Sequence, residues 1–165
     1  MKTIPLAIAA TLLGLGTMAN AQGYDGNRKL DHFTRSAFMA TLDRIGATYE
    51  ETDGARNITI KFENGLVADG LLLACEDEPT STNCLGTSIL VTFDTPEDVT
   101  HAKVVDAINE YNYRQNFGRA YLDPDGVITI RMYMIADGGI TMGNYRRQLS
   151  LFALSAAKLP GYVYE

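Results

Sequence analysis

Residues 109–126 read Asn-Glu-Tyr-Asn-Tyr-Arg-Gln-Asn-Phe-Gly-Arg-Ala-Tyr-Leu-Asp-Pro-Asp-Gly. The stretch enters as a helix end, because Val104, Val105, Ile108 and Tyr111 form an apolar stripe at helical spacing that runs to about Arg114. Gly118 breaks that period. Ala120 and Leu122 then point one way, while Arg119, Tyr121 and Asp123 point the other. Asp123-Pro124-Asp125-Gly126 is a turn, with Pro presetting φ and Gly accepting a positive φ. Ile128, Ile130, Met132 and Met134 alternate beyond it with Thr129, Arg131 and Tyr133. Two alternating runs joined by so short a turn must pair antiparallel, so the sheet is not built from βαβ units.

Upstream, Thr34 is a candidate N-cap for a helix over Arg35 to Ile45, with Phe38, Leu42 and Ile45 on one face and Gly46 as its C′ residue. Thr48 to Thr52 is a short strand candidate ending at the Asp53-Gly54 turn. Ile58, Ile60 and Phe62 alternate with polar residues, and Asn64-Gly65 signals a hairpin returning through Leu66 to Ala74. Its Leu71-Leu72-Leu73 run predicts burial on both faces, or a bulge near Gly70. Ser88 to Phe93 is a further strand. Thr95-Pro96-Glu97-Asp98 predicts the start of the second helix, with Thr95 as cap and Pro96 at N1. Downstream, Gly138-Gly139 is a joint and Thr141 caps a last helix whose inner face is Tyr145, Leu149, Phe152 and Ala156. Pro160-Gly161 is expected to stop it, leaving residues 161–165 as an aromatic tail.

The expected order is α-β-β-β-α-β-β-α, with the short Thr48 to Thr52 candidate as an optional fourth strand before the second helix. Strands and helices are segregated, which predicts an α+β domain with an antiparallel sheet flanked by three helices. Residues 34–160 form the domain. Residues 22–33 lack an apolar period and read as a flexible leader.

Residues 1–21 have the form of a secretory signal peptide: Lys2, an apolar run from Leu6 to Leu15, and Ala19-Asn20-Ala21 as the cleavage pattern. The run is too short for a comfortable bilayer span, and no other comes near ~18 apolar residues. Gln22, not a Cys, directly follows the cleavage pattern, which argues against a lipoprotein anchor. The expected location is the bacterial periplasm or outside the cell, with no stable membrane anchor after cleavage. The net charge of −6 becomes −7 once Lys2 is removed. An acidic chain repels phosphate backbones, which excludes nucleic acid as a natural partner.

Cys75 and Cys84 are the two cysteines of the chain, separated by eight residues of polar, loop-like character. In an oxidising compartment they are expected to bridge. The functional alternative is a redox pair, although redox motifs favour C-x-x-C at a helix start.

Reaction chemistry finds little footing. His32 and His101 have no partner at metal-ligand spacing, and there is no nucleophile elbow or phosphate loop. Asp123 and Asp125 could be read as a calcium site or as hydrolytic acids, but Val, Ile, Thr and Ile follow Gly126 where further ligands would be needed. Asn109, Asn112 and Asn116 share one helical face. They either satisfy backbone groups at the Phe117-Gly118 turn or form a polar recognition surface.

Ile108-Asn109-Glu110-Tyr111-Asn112, Phe117-Gly118-Arg119-Ala120-Tyr121-Leu122-Asp123, Asp125-Gly126 and Gly138-Gly139-Ile140-Thr141 together resemble the YbjN-domain family, described as bacterial sensory transduction regulators. The resemblance spans roughly Thr34 to Leu159 and is strongest in the second half. Members often carry Trp where Tyr111 stands and Asp where Pro124 stands. The family's fold is similar to that of type III secretion chaperones, a fold associated with protein binding and dimerisation, with no established catalytic residues and no cofactor. The resemblance therefore implies a non-enzymatic module with a protein partner or a second copy of itself. The alternatives are a small-ligand sensor, with a pocket between sheet and helices lined by Tyr111, Tyr121, Tyr133 and Met residues, and last a hydrolase using Asp123 and Asp125.

Overall fold

The computed structural model describes residues 23–164; the signal-like segment 1–21 lies outside the described residues. Twelve elements follow in order: β1 (Lys29–Leu30), α1 (Arg35–Arg44), β2 (Thr48–Glu51), β3 (Ile58–Lys61), β4 (Val67–Asp77), β5 (Thr82–Phe93), α2 (His101–Arg114), β6 (Arg119–Leu122), β7 (Ile128–Ile135), β8 (Ile140–Thr141), α3 (Met142–Ala156) and α4 (Pro160–Val163). Strands 2 to 7 form one six-stranded sheet in the order β2-β3-β4-β5-β7-β6, and β1 pairs with β8. Every pairing is antiparallel. The domain is α+β, with its three longer helices packed on one face of the sheet.

That inner face is set by strand alternation. Ile58, Ile60, Ala68, Leu72, Ile89, Val91, Ile128 and Ile130 are buried there. Phe38 of α1, Val104, Ile108 and Tyr111 of α2, and Tyr145, Leu149, Phe152 and Ala156 of α3 close over them. Gly70 lies under the Phe38 ring: a Cβ there would sit 2.6 Å from Phe38 Cζ. No bulge occurs at that position, since Asp69, Gly70 and Leu71 pair in unbroken register with Leu90, Ile89 and Ser88. Leu72 alone of the triple-leucine run is fully inward; Leu71 and Leu73 lie half-buried on the other face.

Several expectations need correction. The leader is not loose: Leu30 and Phe33 are buried. Phe33 N donates to Cys84 O at 2.7 Å, and Cys84 N to Phe33 O at 3.0 Å. Met142 N and Gly143 N donate to Arg28 O and Gly26 O, both at 2.9 Å, so the leader also closes the start of α3. Helix α2 begins at His101, not near Pro96. Thr100 Oγ1 caps Lys103 N, while the Thr95 hydroxyl donates to Gly126 O, so tertiary contact takes the nearer capping side chain away. Half of the polar segment between the cysteines is strand, with residues 78–81 as the turn, because Cys75 and Cys84 are directly opposed in the β4–β5 ladder. Their sulfurs are bonded. Pro160 does not simply stop a helix; it sits in the first turn of α4. The tail packs: Val163 is buried, and the Tyr162 ring meets that of Tyr111 edge-on at 5.7 Å between centroids.

Candidate interaction surface

The stretch 109–126 behaves mainly as architecture. Tyr111 is fully buried and its hydroxyl shares a 3.0 Å hydrogen bond with Ser155 Oγ. Burial raises its pKa, partly opposed by that bond. Asn112 bonds the backbone of Ala120 twice, while Asn109 and Asn116 are exposed. The three amides therefore do not act as one surface. Gly118 has φ +95°, and a Cβ there would lie 2.9 Å from Ile130 Cγ2. Phe117 is exposed, Ala120 is inward and Leu122 is half-buried. Asp123 Oδ1 accepts from Asp125 N and Val127 N, both at 2.9 Å, which commits that carboxylate oxygen to its own turn ahead of Gly126. Gly138 and Gly139 both take positive φ at the joint before β8. His32 and His101 are exposed, and among the described residues no group of three or more His, Cys, Asp or Glu could hold a metal ion.

The tyrosines expected to line one pocket are not brought together. Tyr111 faces the core, whereas Tyr121 and Tyr133 stand on the opposite face of the sheet. That outer face carries the surface of interest. Register places three rows of side chains across it: Leu73, Gly86 and Ile135; Leu71, Ser88 and Tyr133; and Asp69, Leu90, Arg131 and Arg119. Tyr133 is 58% exposed and Ile135 66%, on the end of β7 that runs past β6 and pairs with β5 alone. A shallow recess of about 380 Å³ runs between Leu73, Gly86, Tyr133 and Ile135. A second, of about 540 Å³, is bounded by Arg119, Tyr121, Arg131 and Tyr133. Tyr133 stands between the two.

Sequence alternation places Arg119 with Tyr121, and Arg131 with Tyr133, on polar faces of their strands. Pairing the two strands as a hairpin is the signal that joins them. Leu73, Gly86 and Ile135 leave no such trace, since they come from three different strands.

Helices on one side of an antiparallel sheet, with an apolar and aromatic far side left open, define a small layered α+β domain. The chain belongs to the YbjN family, whose profile, described as "Putative bacterial sensory transduction regulator", matches residues 34–159. Among solved structures, an uncharacterized protein from Methanothermobacter thermautotrophicus is similar at 12% identity and a TM-score of 0.53, over 77% of this chain and 94% of that one. YbjN from E. coli, described as "a putative transcription regulator", is similar at 13% identity and a TM-score of 0.49, over 73% of this chain and 90% of that one. A chain of the HopA1–SchA chaperone–effector complex is similar at 8% identity and a TM-score of 0.47, over 78% and 94%. No curated protein matches the sequence.

Proposed function

We propose that this chain is an exported, non-catalytic regulatory module that binds a protein partner through the outer face of its sheet. The observation that carries the reading is the open apolar row of Leu73, Gly86 and Ile135 beside Tyr133, on the face that the helices leave uncovered. Sheet faces in water are ordinarily polar, and an exposed aromatic–aliphatic patch marks an interaction site. Family membership favours regulation over catalysis. The Met1–Ala21 pattern and the Cys75–Cys84 bridge favour export to an oxidising compartment.

A photo-reactive residue at Tyr133 tests this directly in the native compartment. Discrete adducts are expected there, none from the same probe at Asn109, and loss of the adducts on Ile135→Asp. Identical patterns at both positions would remove the reading. Adducts composed of two copies of this chain would assign the face to self-association instead. Export is checked separately: the mature chain from the periplasmic or extracellular fraction should begin at Gln22.

A further inference from the structure

The polar end of the outer face has a composition that self-packing does not explain. Arg119 and Arg131 are directly opposed across β6 and β7. Like charges in that position destabilise a sheet. Neither arginine is in an ion pair among the described residues, although the chain has 20 acidic side chains and a net charge of −6. The acid in their row, Asp69, stands beyond Leu90 and accepts instead from Asn57 Nδ2 at 2.8 Å. Glu110, on α2, pairs with Arg114.

Both guanidinium groups are nevertheless held in place. Arg119 Nη1 donates to Gly118 O at 2.9 Å and to Gln115 O at 3.3 Å. Arg131 lies 5.7 Å from the Tyr121 ring centre and 5.8 Å from that of Tyr133, and its Nη1 donates to Tyr133 Oη at 2.9 Å. Its Nε–H is shielded from solvent without an acceptor. Rings that displace water from a guanidinium strengthen its pull on an anion, and guanidinium N–H forks match carboxylate geometry.

We propose that Arg119 and Arg131 bind a side-chain carboxylate of the protein partner, and that the recess at Leu73, Gly86 and Ile135 takes an apolar side chain of the same segment. This rests on the reading of the outer face as a protein-binding surface. Strand geometry sets the spacing. Arg131 and Ile135 are four residues apart on one face of β7, on the order of 13 Å at about 3.3 Å per residue. An extended segment lying along β7 therefore presents an acid at position i and an apolar residue at i+4.

The probe is the peptide Ser-Glu-Ser-Thr-Ser-Leu-Ser, titrated into 15N-labelled protein with the arginine Nε–H and Ile135 amide signals followed by NMR. Both signals should shift. Replacing the peptide's Glu by Gln should weaken binding at least tenfold, as should Arg131→Gln. Moving the Leu to i+3 should weaken it severalfold. Arg119→Gln, at an exposed position, provides the same comparison should Arg131→Gln fail to fold. Equal affinity for the Glu and Gln peptides, or shifts confined to other surfaces, would overturn the proposal. Phosphate or phosphatidylglycerol vesicles binding more tightly than the peptide would also overturn it. Adducts at Tyr133 that vanish with Ile135→Asp but persist with Arg131→Gln would overturn the carboxylate site while leaving the protein-binding face standing. Absence of any adduct would remove both.

Discussion

Asn112 of α2 pairs with the backbone of Ala120 in β6 as another strand would: Nδ2 donates to Ala120 O and Oδ1 accepts from Ala120 N, both at 2.9 Å. β6 is one of the two edge strands of the six-stranded sheet, β2 being the other. An unpaired edge is a template for unwanted association, and the asparagine occupies it from within the same molecule. Asn112→Ala should cost about 1–3 kcal/mol, the range for leaving shielded backbone groups unmade. Asn112→Asp should be worse near neutral pH, because an anion would face the Ala120 carbonyl. Urea unfolding and the exchange rate of the Ala120 amide check both variants. An Asn112→Ala midpoint equal to wild type would show that the pair contributes nothing.

Phe33 should be as important as any residue of the helices. It is fully buried, its ring lies 4.6 Å from that of Tyr145, and its backbone bonds Cys84 in both directions. Phe33→Ala is expected to lower stability by about 3–5 kcal/mol, the range for emptying an aromatic core site. Deleting residues 22–33 should lower it further. A deletion variant that melts like the intact domain would contradict the packed leader.

Removing the bridge with Cys75→Ser and Cys84→Ser together should lower stability by about 2.5–3 kcal/mol on the chain-entropy account of a loop this short. Residual hairpin structure in the unfolded chain would reduce that figure. Thiol labelling of the unreduced, unfolded protein should be negative, and two reactive thiols per chain would end the assignment.

Tyr145 makes stability sensitive to alkali. Complete burial raises its pKa well above the ordinary tyrosine value. Its hydroxyl and that of Thr87 are neighbours in the core, yet neither completes a hydrogen bond of normal geometry. The folded state thus holds this proton more tightly than the unfolded state. Its contribution is intact below about pH 10 and is lost as pH rises through the unfolded tyrosine value. Tyr145→Phe should be close to neutral at pH 7, since the hydroxyl has no well-formed bond to lose. It should also flatten the fall in stability above about pH 10. An unchanged alkaline slope would place that titration elsewhere.

Much of this architecture is written in local pattern. The β6–β7 hairpin follows from alternation around Asp123-Pro124-Asp125-Gly126, and the buried face of α3 follows from Tyr145, Leu149, Phe152 and Ala156. Thr34 and Thr141 cap their helices as their positions predict. The failures share a physical cause, which is distance along the chain. Leu30 and Phe33 are isolated apolar residues in a polar segment, and their strand partners, Ile140 and Cys84, lie far downstream. Thr95 is a sound local cap until Gly126 competes for its hydroxyl. Leu71 and Leu73 read as core because periodicity reports apolar content, whereas the placement of helices decides which face is covered. The row of Leu73, Gly86 and Ile135 is hidden from the sequence for the same reason: it runs across three strands, perpendicular to the direction in which a sequence is read.

The pairing of β1 with β8 has a consequence for the order of folding. Lys29 and Leu30 must wait for Thr141 and Ile140 before their ladder can close, and closing so long a loop carries an entropic cost that local contacts avoid. During synthesis the segment at Lys29 and Leu30 therefore remains unsettled until almost the whole domain has emerged. Once closed, it ties the first residues of the domain to the start of its last long helix. Fraying of β1 then releases β8 and the first turn of α3, so these two segments should open together as one cooperative unit.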